Sequence, residues 1–456
     1  TPRMSDQLDL VVQGGFIVTP EGVQRADLGV AEGRIVKIAP EIRDSAAVTM
    51  AVGGRYVFPG IIDSHVHFHA PGPVEREGLA TGSAALAAGG GTVFFDLPLN
   101  SEPPVLDAAA LREKRARAEE RSCLDFALWG GLTARNLDQL AGLRDAGAIG
   151  LKAVMGAGGA ERFPRVDAAV LREGMKRAAR LGLMVAVHAE DETRAAAFPA
   201  EQKAKGRAGA RAWLDSWPVE VELAAMRTAI ELAGETGCAL HVVNVSSPEG
   251  VALIDEARLQ RVDVTAGTGP HYLLLNEKDV ARIGTAAKCA PPIRDEKRRV
   301  ALWRELRAGR IQMIGSDHAP APAEQTAAED FFAAQTGLAG CQHGFELLFS
   351  ACATTREKDL PVLAAVLAQN IARRFRLDAR KGLLAEGRDA DFSVVEFGRE
   401  KEIESGDLWT RHRSSAYVGR HSQARVSHTY VRGGAVYADG RLTNLPQRAQ
   451  FLTPYR

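Results

Sequence analysis

Residues 57–67, VFPGIIDSHVH, open with an apolar run of strand length and close on two histidines one residue apart. A short run of this kind, punctuated by Pro and Gly, reads as a strand buried on both faces. Seven more of the same texture follow: TVFFDL (92–97), FALWGG (126–131), IGLKAVM (149–155), LMVAVHAE (183–190), ALHVVNVSS (239–247), VDVTAG (262–267) and IQMIGSDHA (311–319). Between them lie segments of helical pattern such as LREKRARAEER (111–121) and PVEVELAAMRTAIELAGETG (218–237). Strand and helix alternating about eight times predicts an α/β chain built on a (β/α)8 TIM barrel with insertions, not an open doubly wound sheet.

The two ends of the chain have a different texture. LDLVVQGGFIVTP (8–20), DLGVAEGRIVKIAP (27–40) and VTMAVGGRYVFPG (48–60) read as short antiparallel strands with turns between them, and the pattern returns in DADFSVVEF (389–397) and ARVSHTYVRGGAVYADGR (424–441). A small β-sandwich assembled from both termini is expected, with residues 1–57 and 378–456 as its halves and 58–377 as the barrel. Met4 is expected to be the native start.

Composition excludes several functions. Lys plus Arg and Asp plus Glu each number 57, so the chain has no net basic excess with which to bind nucleic acid or an anionic membrane. With 46% hydrophobic and 25% charged residues it can bury a large core. Five cysteines, none in a C-x-x-C pair, argue against both a disulfide framework and a thiolate zinc site. No apolar run approaches the roughly 18 residues of a membrane span, so a soluble cytoplasmic protein is expected. No GxxxxGK[ST] is present, and the Gly-rich stretches AAGGGT (87–92) and GAGGAE (156–161) lack dinucleotide-binding spacing.

In a barrel of this kind the chemistry sits at the C-terminal ends of the strands. Those ends carry His65 and His67; Asp96 and Asn100; Gly130; Lys152; His188 with Glu190; His241; His271; and Asp317 with His318. A single histidine among these would more often be a satisfied core residue than a ligand. His65 and His67, however, share one face of an extended chain and can share a metal, and His188, His241 and Asp317 are expected to meet them at the same rim. Lys152 lies in an apolar run, where burial lowers the pKa of an amine and favours its neutral form. A neutral amine can take up carbon dioxide as a carbamate, an anion able to bridge two cations.

The chain resembles the cyclic amidohydrolases of the amidohydrolase superfamily: dihydroorotases, hydantoinases or dihydropyrimidinases, and allantoinases. The resemblance runs from FPGIIDSHVHFHAPG through GLKAV, VAVHAED, LHVVNVSSPEG, GPHYLLL, KCAPPIRD and GSDHAP to GRDADFSVVE. It implies one metal held by His65, His67 and Asp317, a second held by His188 and His241, and N6-carboxylated Lys152 bridging them. Zinc suits such a set of N and O donors, as do manganese, cobalt and iron. The implied reaction is attack of a metal-bridging hydroxide on a cyclic amide, with Asp317 as general acid and base.

Other positions bear on the ring. Where dihydroorotases carry an Arg that grips a carboxylate stands His69, and where hydantoinases carry a Tyr stands Ala157. The chain resembles allantoinases in LPLNSEPPV, KCAPPIRD, GLAGCQ and RHRSSAYVGR, which implies opening of (S)-allantoin to allantoate in purine catabolism. TAGTGPHYL and Ala290 depart from the usual pattern of the relatives. By resemblance Asn100, Cys289, Ala290 and Thr336 would contact the substrate, a small cyclic ureide or amide, and the chain would form a homotetramer or dimer. His318 is expected to support the metal shell, and Glu190 and Asp191 to orient His188 or open a solvated loop. Two other readings compete: a non-catalytic assembly homologue, which would have lost ligands, and a deaminase with a mononuclear site and no bridging lysine.

Overall fold

Gly60 divides the first apolar run between two sheets, so VFPGIID is not one strand. A Cβ at Gly60 would come within 2.3 Å of Thr92 Oγ1, and glycine lets the chain turn directly from one sheet into the other. The computed structural model describes residues 7–156, 161–322, 330–443 and 449–455; Met4 and Ala157 lie outside them. Before Gly60 come β1 (Leu8–Thr19), β2 (Gly22–Ala31), β3 (Arg34–Ala39), β4 (Ala46–Ala51) and β5 (Tyr56–Pro59). After it the barrel runs through β6 (Ile61–Val66), β7 (Gly91–Asp96), β8 (Asp125–Leu128), β9 (Gly130–Gly131), β10 (Leu151–Val154), β11 (Val185–His188), β12 (Leu240–Val243), β13 (Val264–Thr268) and β14 (Met313–Ile314). The chain then returns through β15 (Phe392–Glu402), β16 (His421–Val431), β17 (Gly434–Ala438) and β18 (Arg441–Leu442).

The barrel is the expected (β/α)8 TIM barrel, because β8 and β9 form a single strand position interrupted at Trp129. β6, β7 and β8 make one parallel ladder and β9 to β14 another. Ile149 N–H to Leu128 O (2.9 Å) and Gly130 N–H to Gly150 O (3.0 Å) join them. His67 N–H donates to His318 O at 2.8 Å and closes the ring from the other side. At the interruption Trp129 turns inward and its Nε1–H donates to Ser64 O at 3.1 Å.

Inward-facing Ile62, Val93, Phe95, Ala186, Val243 and Met313 fill the barrel with Trp129. Phe375 packs edge-on against Phe95 (4.9 Å) and Trp129 (5.3 Å). Its neighbour Arg374 donates to Leu240 O, the first residue of β12, at 3.0 Å, so this plug seals the N-terminal end and leaves the other end for chemistry. Outer helices carry local start and stop signals. Asp167 Oδ1 accepts from Val170 N–H (2.8 Å) ahead of helix Ala168–Leu181, which stops at left-handed Gly182.

The terminal strands form the expected sandwich in the order β18-β17-β16-β15-β5-β1-β2-β3, with β4 beside β1. β5 lies between β15 and β1, so the two chain ends complete one sheet and bury Val12, Ile17, Leu28, Val57, Phe392 and Val394 in a core of their own. All five cysteines are free. Among the described residues no helix is long and apolar enough to cross a membrane.

A buried ionic knot fixes sandwich to barrel. Lys381 Nζ sits 2.7 Å from Asp125 Oδ2, 2.7 Å from Asp391 Oδ2 and 3.0 Å from Asp389 Oδ2, and Arg432 also pairs with Asp125. Burial alone would lower the pKa of Lys381, but the three carboxylates override it and hold the ammonium well above its usual value. Asp125, Asp389 and Asp391 cluster as metal ligands do, yet the lysine already supplies their cation. Lys381→Met strands these carboxylates and is expected to cost about 3–5 kcal/mol in urea unfolding; a loss below about 1 kcal/mol would show the knot to be incidental.

Helix His343–Ala351 packs under the sandwich beside a cleft of about 780 Å³, where burial pushes Glu346 up to about 7. The folded pKa lies above the unfolded one, so Glu346's contribution to stability is present below about pH 4 and lost as pH rises through about 7. Glu346→Gln is therefore expected to raise the melting temperature at pH 8 and leave it unchanged near pH 4; equal melting at pH 8 would contradict this.

Candidate active site

Closure of the first strand onto the eighth assembles the mouth of the barrel. Asp63, in the middle of β6 and fully buried, accepts through Oδ1 from His65 N–H (3.2 Å) and from Ser316 N–H (2.9 Å). His65 and His67 thereby face Asp317. Their Nε2 atoms lie 3.1 and 3.3 Å from Asp317 Oδ1, and their rings are 5.3 Å apart. These three side chains offer atoms within 4.8 Å of one another, the spacing of ligands around one ion.

The chemistry of these donors suits a cation at this point. His67 Nδ1–H donates to Asn100 Oδ1 at 2.6 Å, which turns Nε2 toward Asp317 Oδ1. Burial drives the pKa of His65 well below the ordinary histidine value and keeps that ring neutral. For Asp317, burial works upward, but His65 and His67 outweigh it and hold the carboxyl well below the usual range. Two imidazole nitrogens and a carboxylate converging at this spacing in a buried pocket are the donors that a divalent metal takes. This donor set therefore fits a divalent metal.

Lys152 on β10 is 2% exposed and its Nζ has no hydrogen-bond partner. Burial pushes it down to about 7, against the opposing pull of Asp317 and Glu190, so much of the amine is neutral at physiological pH. His188, at the end of β11, places Nε2 3.2 Å from Glu190 Oε1. Both Glu190 side-chain oxygens are otherwise buried and without hydrogen bonds. Asp191 instead caps helix Glu192–Ala204, accepting from Arg194 N–H at 2.9 Å.

His188 and His241 both stand outside the tight His65, His67 and Asp317 cluster. His241 is buried on β12 with Nδ1 2.9 Å from Thr265 Oγ1, and burial pushes it down to about 3. Asn244, which the sequence reading passed over, also reaches the cluster: its Nδ2–H donates to Asp317 Oδ2 at 3.0 Å. An Asn just past a strand end, where it can take up a left-handed turn, is the only signal the sequence carries for this.

His318 turns away from the mouth as expected. Its Nδ1 accepts from Gly340 N–H (3.1 Å) and its Nε2–H donates to buried Glu77 at 3.2 Å. His271 lies fully buried in helix Pro270–Leu274, pushed down to about 4 by burial. Asp96 accepts from Phe68 N–H (3.1 Å) and pairs with buried Lys114 (3.0 Å), fixing the loop behind His67.

Of the positions expected beside a substrate, Asn100 is engaged by His67. Cys289 is buried, with its thiol 3.2 Å from Pro291 O. Ala290 is half-buried and Thr336 exposed, on two loops tied together by Gly337 N–H to Lys288 O at 3.0 Å. His69 is buried with a left-handed backbone, neither ring nitrogen has a partner, and burial holds its pKa far below the ordinary value. A neutral imidazole thus occupies the place where a carboxylate-binding Arg was considered.

Comparison with known proteins agrees with this architecture. The chain is 46% identical over 447 residues to an allantoinase of Deinococcus radiodurans, covering 98% of this chain and 99% of that one. It is 43% identical over 446 residues to an allantoinase of Solibacter usitatus, covering 98% and 97%. Among solved structures, L-hydantoinase (dihydropyrimidinase) from Arthrobacter aurescens superposes with a TM-score of 0.94 at 32% identity, covering 98% of this chain and 100% of that one. The profile of the amidohydrolase family matches residues 56–436. A match that begins at β5 and spans the barrel and most of the returning strands places the chain in the amidohydrolase family, as a cyclic amidohydrolase.

Proposed function

We propose that this chain is a metal-dependent allantoinase, opening (S)-allantoin to allantoate in purine and ureide catabolism. The observation that carries the reading is the amine of Lys152, buried, unpartnered and pushed down to about 7, in a barrel whose mouth gathers His65, His67 and Asp317. Relatives named allantoinase at 46% and 43% identity support the choice of ring. Retention of Lys152 and of this cluster speaks against a non-catalytic assembly homologue and against a deaminase that lacks a bridging lysine. The match to L-hydantoinase structure at 32% identity makes hydantoin or dihydropyrimidine opening the second reading, ahead of dihydroorotate.

His65, His67 and Asp317 would hold one divalent metal, His188 and His241 a second, and Lys152, as its carbamate, would offer oxygens to both. Zinc fits these donors, and manganese, cobalt and iron are compatible. A bound divalent ion supplies acidified water and polarises the scissile carbonyl. Asp317 moves the proton: its Oδ1 faces the imidazoles, its Oδ2 is held by Asn244, and its ionised state lets it accept a proton and deliver it to the departing ring nitrogen. Neutral His69 suits a ureide without a carboxylate of its own. Cys289, Ala290 and Thr336 would border the ring from the two tied loops, and Asn100, with its oxygen engaged, would offer its amide nitrogen. The working form is proposed as a cytoplasmic homotetramer or dimer, built from segments 1–57, 58–377 and 378–456, the first boundary lying within β5.

Ring opening of allantoin, hydantoin, dihydrouracil and dihydroorotate by the purified protein tests the substrate. Allantoin is expected to lead in kcat/KM by about tenfold or more, a gap of about 1.4 kcal/mol, and a lead for dihydroorotate would refute the proposal. In the presence of ¹³C-bicarbonate, a carbamate resonance is expected that grows as pH rises through about 7 and is missing from Lys152→Ala; a signal that persists in the variant would assign it elsewhere. Asn100→Ala frees His67 Nδ1 and is expected to weaken zinc about 10–100-fold, read by chelator competition. Unchanged zinc affinity would remove Asn100 from the support of His67.

A further inference from the structure

Loops that follow the fifth, seventh and eighth barrel strands meet at one buried amine outside the metal cluster. Lys288 leads directly into Cys289 and Ala290 and is only 3% exposed. Its Nζ donates to Ala334 O, and its own backbone O accepts from Gly337 N–H at 3.0 Å. Thr336 is thus bracketed by two bonds to a single residue. Just beyond, Leu338 O accepts from Ala319 N–H at 2.8 Å, two residues after Asp317. Lys288 therefore ties the seventh-strand loop to the eighth-strand loop close to where the latter leaves Asp317.

The insertion after the fifth strand supplies the wall. Helix Ala210–Asp215 sets the ring of Trp213 against Lys288 Nζ, 4.4 Å from the ring centroid. Trp213 also packs against Trp217 (5.5 Å) and edge-on against Phe332 (5.8 Å), and Phe331 N–H donates to Ala208 O at 2.8 Å. Among the described residues the amine is held by a carbonyl oxygen and an indole face, with no carboxylate in an ion pair with it. An ammonium so placed costs desolvation that an apolar side chain of the same length would avoid. What the charge gains is a charge-assisted hydrogen bond and a cation–π contact, and it gains both across loop boundaries.

We propose that Lys288 is a positioning residue, whose charged amine sets the spacing of the two loops that border the ring and so governs how tightly a cyclic substrate is held. The proposal rests on the reading of these loops given above. Burial pushes the Lys288 amine down to about 8, against the pull of Asp330 and with the help of Lys203, while the adjoining Cys289 thiol, pushed up to about 12, stays uncharged. The ammonium and its grip on Trp213 are therefore present below about pH 8 and lost as pH rises through that value. Asp317, which moves the proton, is reached only through the backbone of the eighth-strand loop, so binding should respond more than the chemical step.

Steady-state opening, by the full-length zinc-loaded protein, of whichever of the four rings it opens best tests this. Lys288→Met keeps the length of the side chain and removes the charge, so KM at pH 7 is expected to rise about tenfold with kcat within about threefold. The ratio of KM between variant and unaltered protein is expected to shrink toward one as pH rises through about 8, because the native lysine then loses its own charge. A packing role alone would hold that ratio constant. Lys288→Gln, which keeps a donor for Ala334 without the charge, repeats the comparison where methionine lowers the melting temperature. Amide exchange over residues 330–337, followed by mass spectrometry at pH 7 without substrate, is expected to quicken about tenfold in either variant. KM within about twofold of the unaltered value at pH 7, a raised ratio that does not change with pH, or unchanged exchange would each overturn the proposal. Failure to open any of the rings would instead sink the functional reading, and the exchange measurement would still decide whether the charge on Lys288 holds these loops.

Discussion

The molecule depends on closure of its first barrel strand onto its eighth. The segment at residues 63–67 and the one at 316–318 are joined by Asp63 Oδ1, which accepts from Ser316 N–H and His65 N–H, and by the backbone bond from His67 to His318. The loop-closure entropy for segments so far apart is met by the packed ring of strands as a whole, not by these few bonds. Once closed, the ring leaves little freedom to the side chains it carries. His65 and His67 cannot avoid Asp317, and the convergence of two imidazoles on one carboxylate follows from topology.

Around that centre the protein spends buried polar groups freely, and several hold one another in place. Asn100 holds His67, Asn244 holds Asp317, Lys114 holds Asp96, and Glu77 holds His318. The exceptions are informative. Lys152 Nζ, both Glu190 oxygens and the ring nitrogens of His69 and His271 are buried without hydrogen bonds. Buried polar groups left without hydrogen bonds in a barrel mouth are what a site that binds cations would present. The ionic knot at Lys381 is the contrast: there the cation belongs to the chain and every carboxylate is satisfied by it.

The relation between sandwich and barrel is equally a matter of constraint. β5 and β6 are separated by Gly60 alone, so the sandwich is held to the barrel by a junction one residue long as well as by the knot. Neither terminal set of strands is a complete sheet without the other, because β5 needs β15 on one edge and β1 on the other. The barrel is thereby clasped by its own two ends.

Much of this was legible in the sequence, for stated physical reasons. Alternation of apolar runs with helical segments determined the barrel, since a strand buried on both faces needs a continuous apolar stretch. The period of two in extended chain put His65 and His67 on one face, and the apolar setting of Lys152 dictated a perturbed amine. Tertiary structure alone decided the rest. Nothing in VFPGIID announces that one run serves two sheets, because the split depends on Thr92 crowding Gly60 from another strand. Nothing in LHVVN says which polar residue meets Asp317. That choice is made where β12 ends, by the left-handed turn at Asn244 and by the space that Gly267 opens for His241 one strand away. Spacing along one strand fixes which side chains share a face, but how far the strand reaches before it turns is set by the neighbours it packs against.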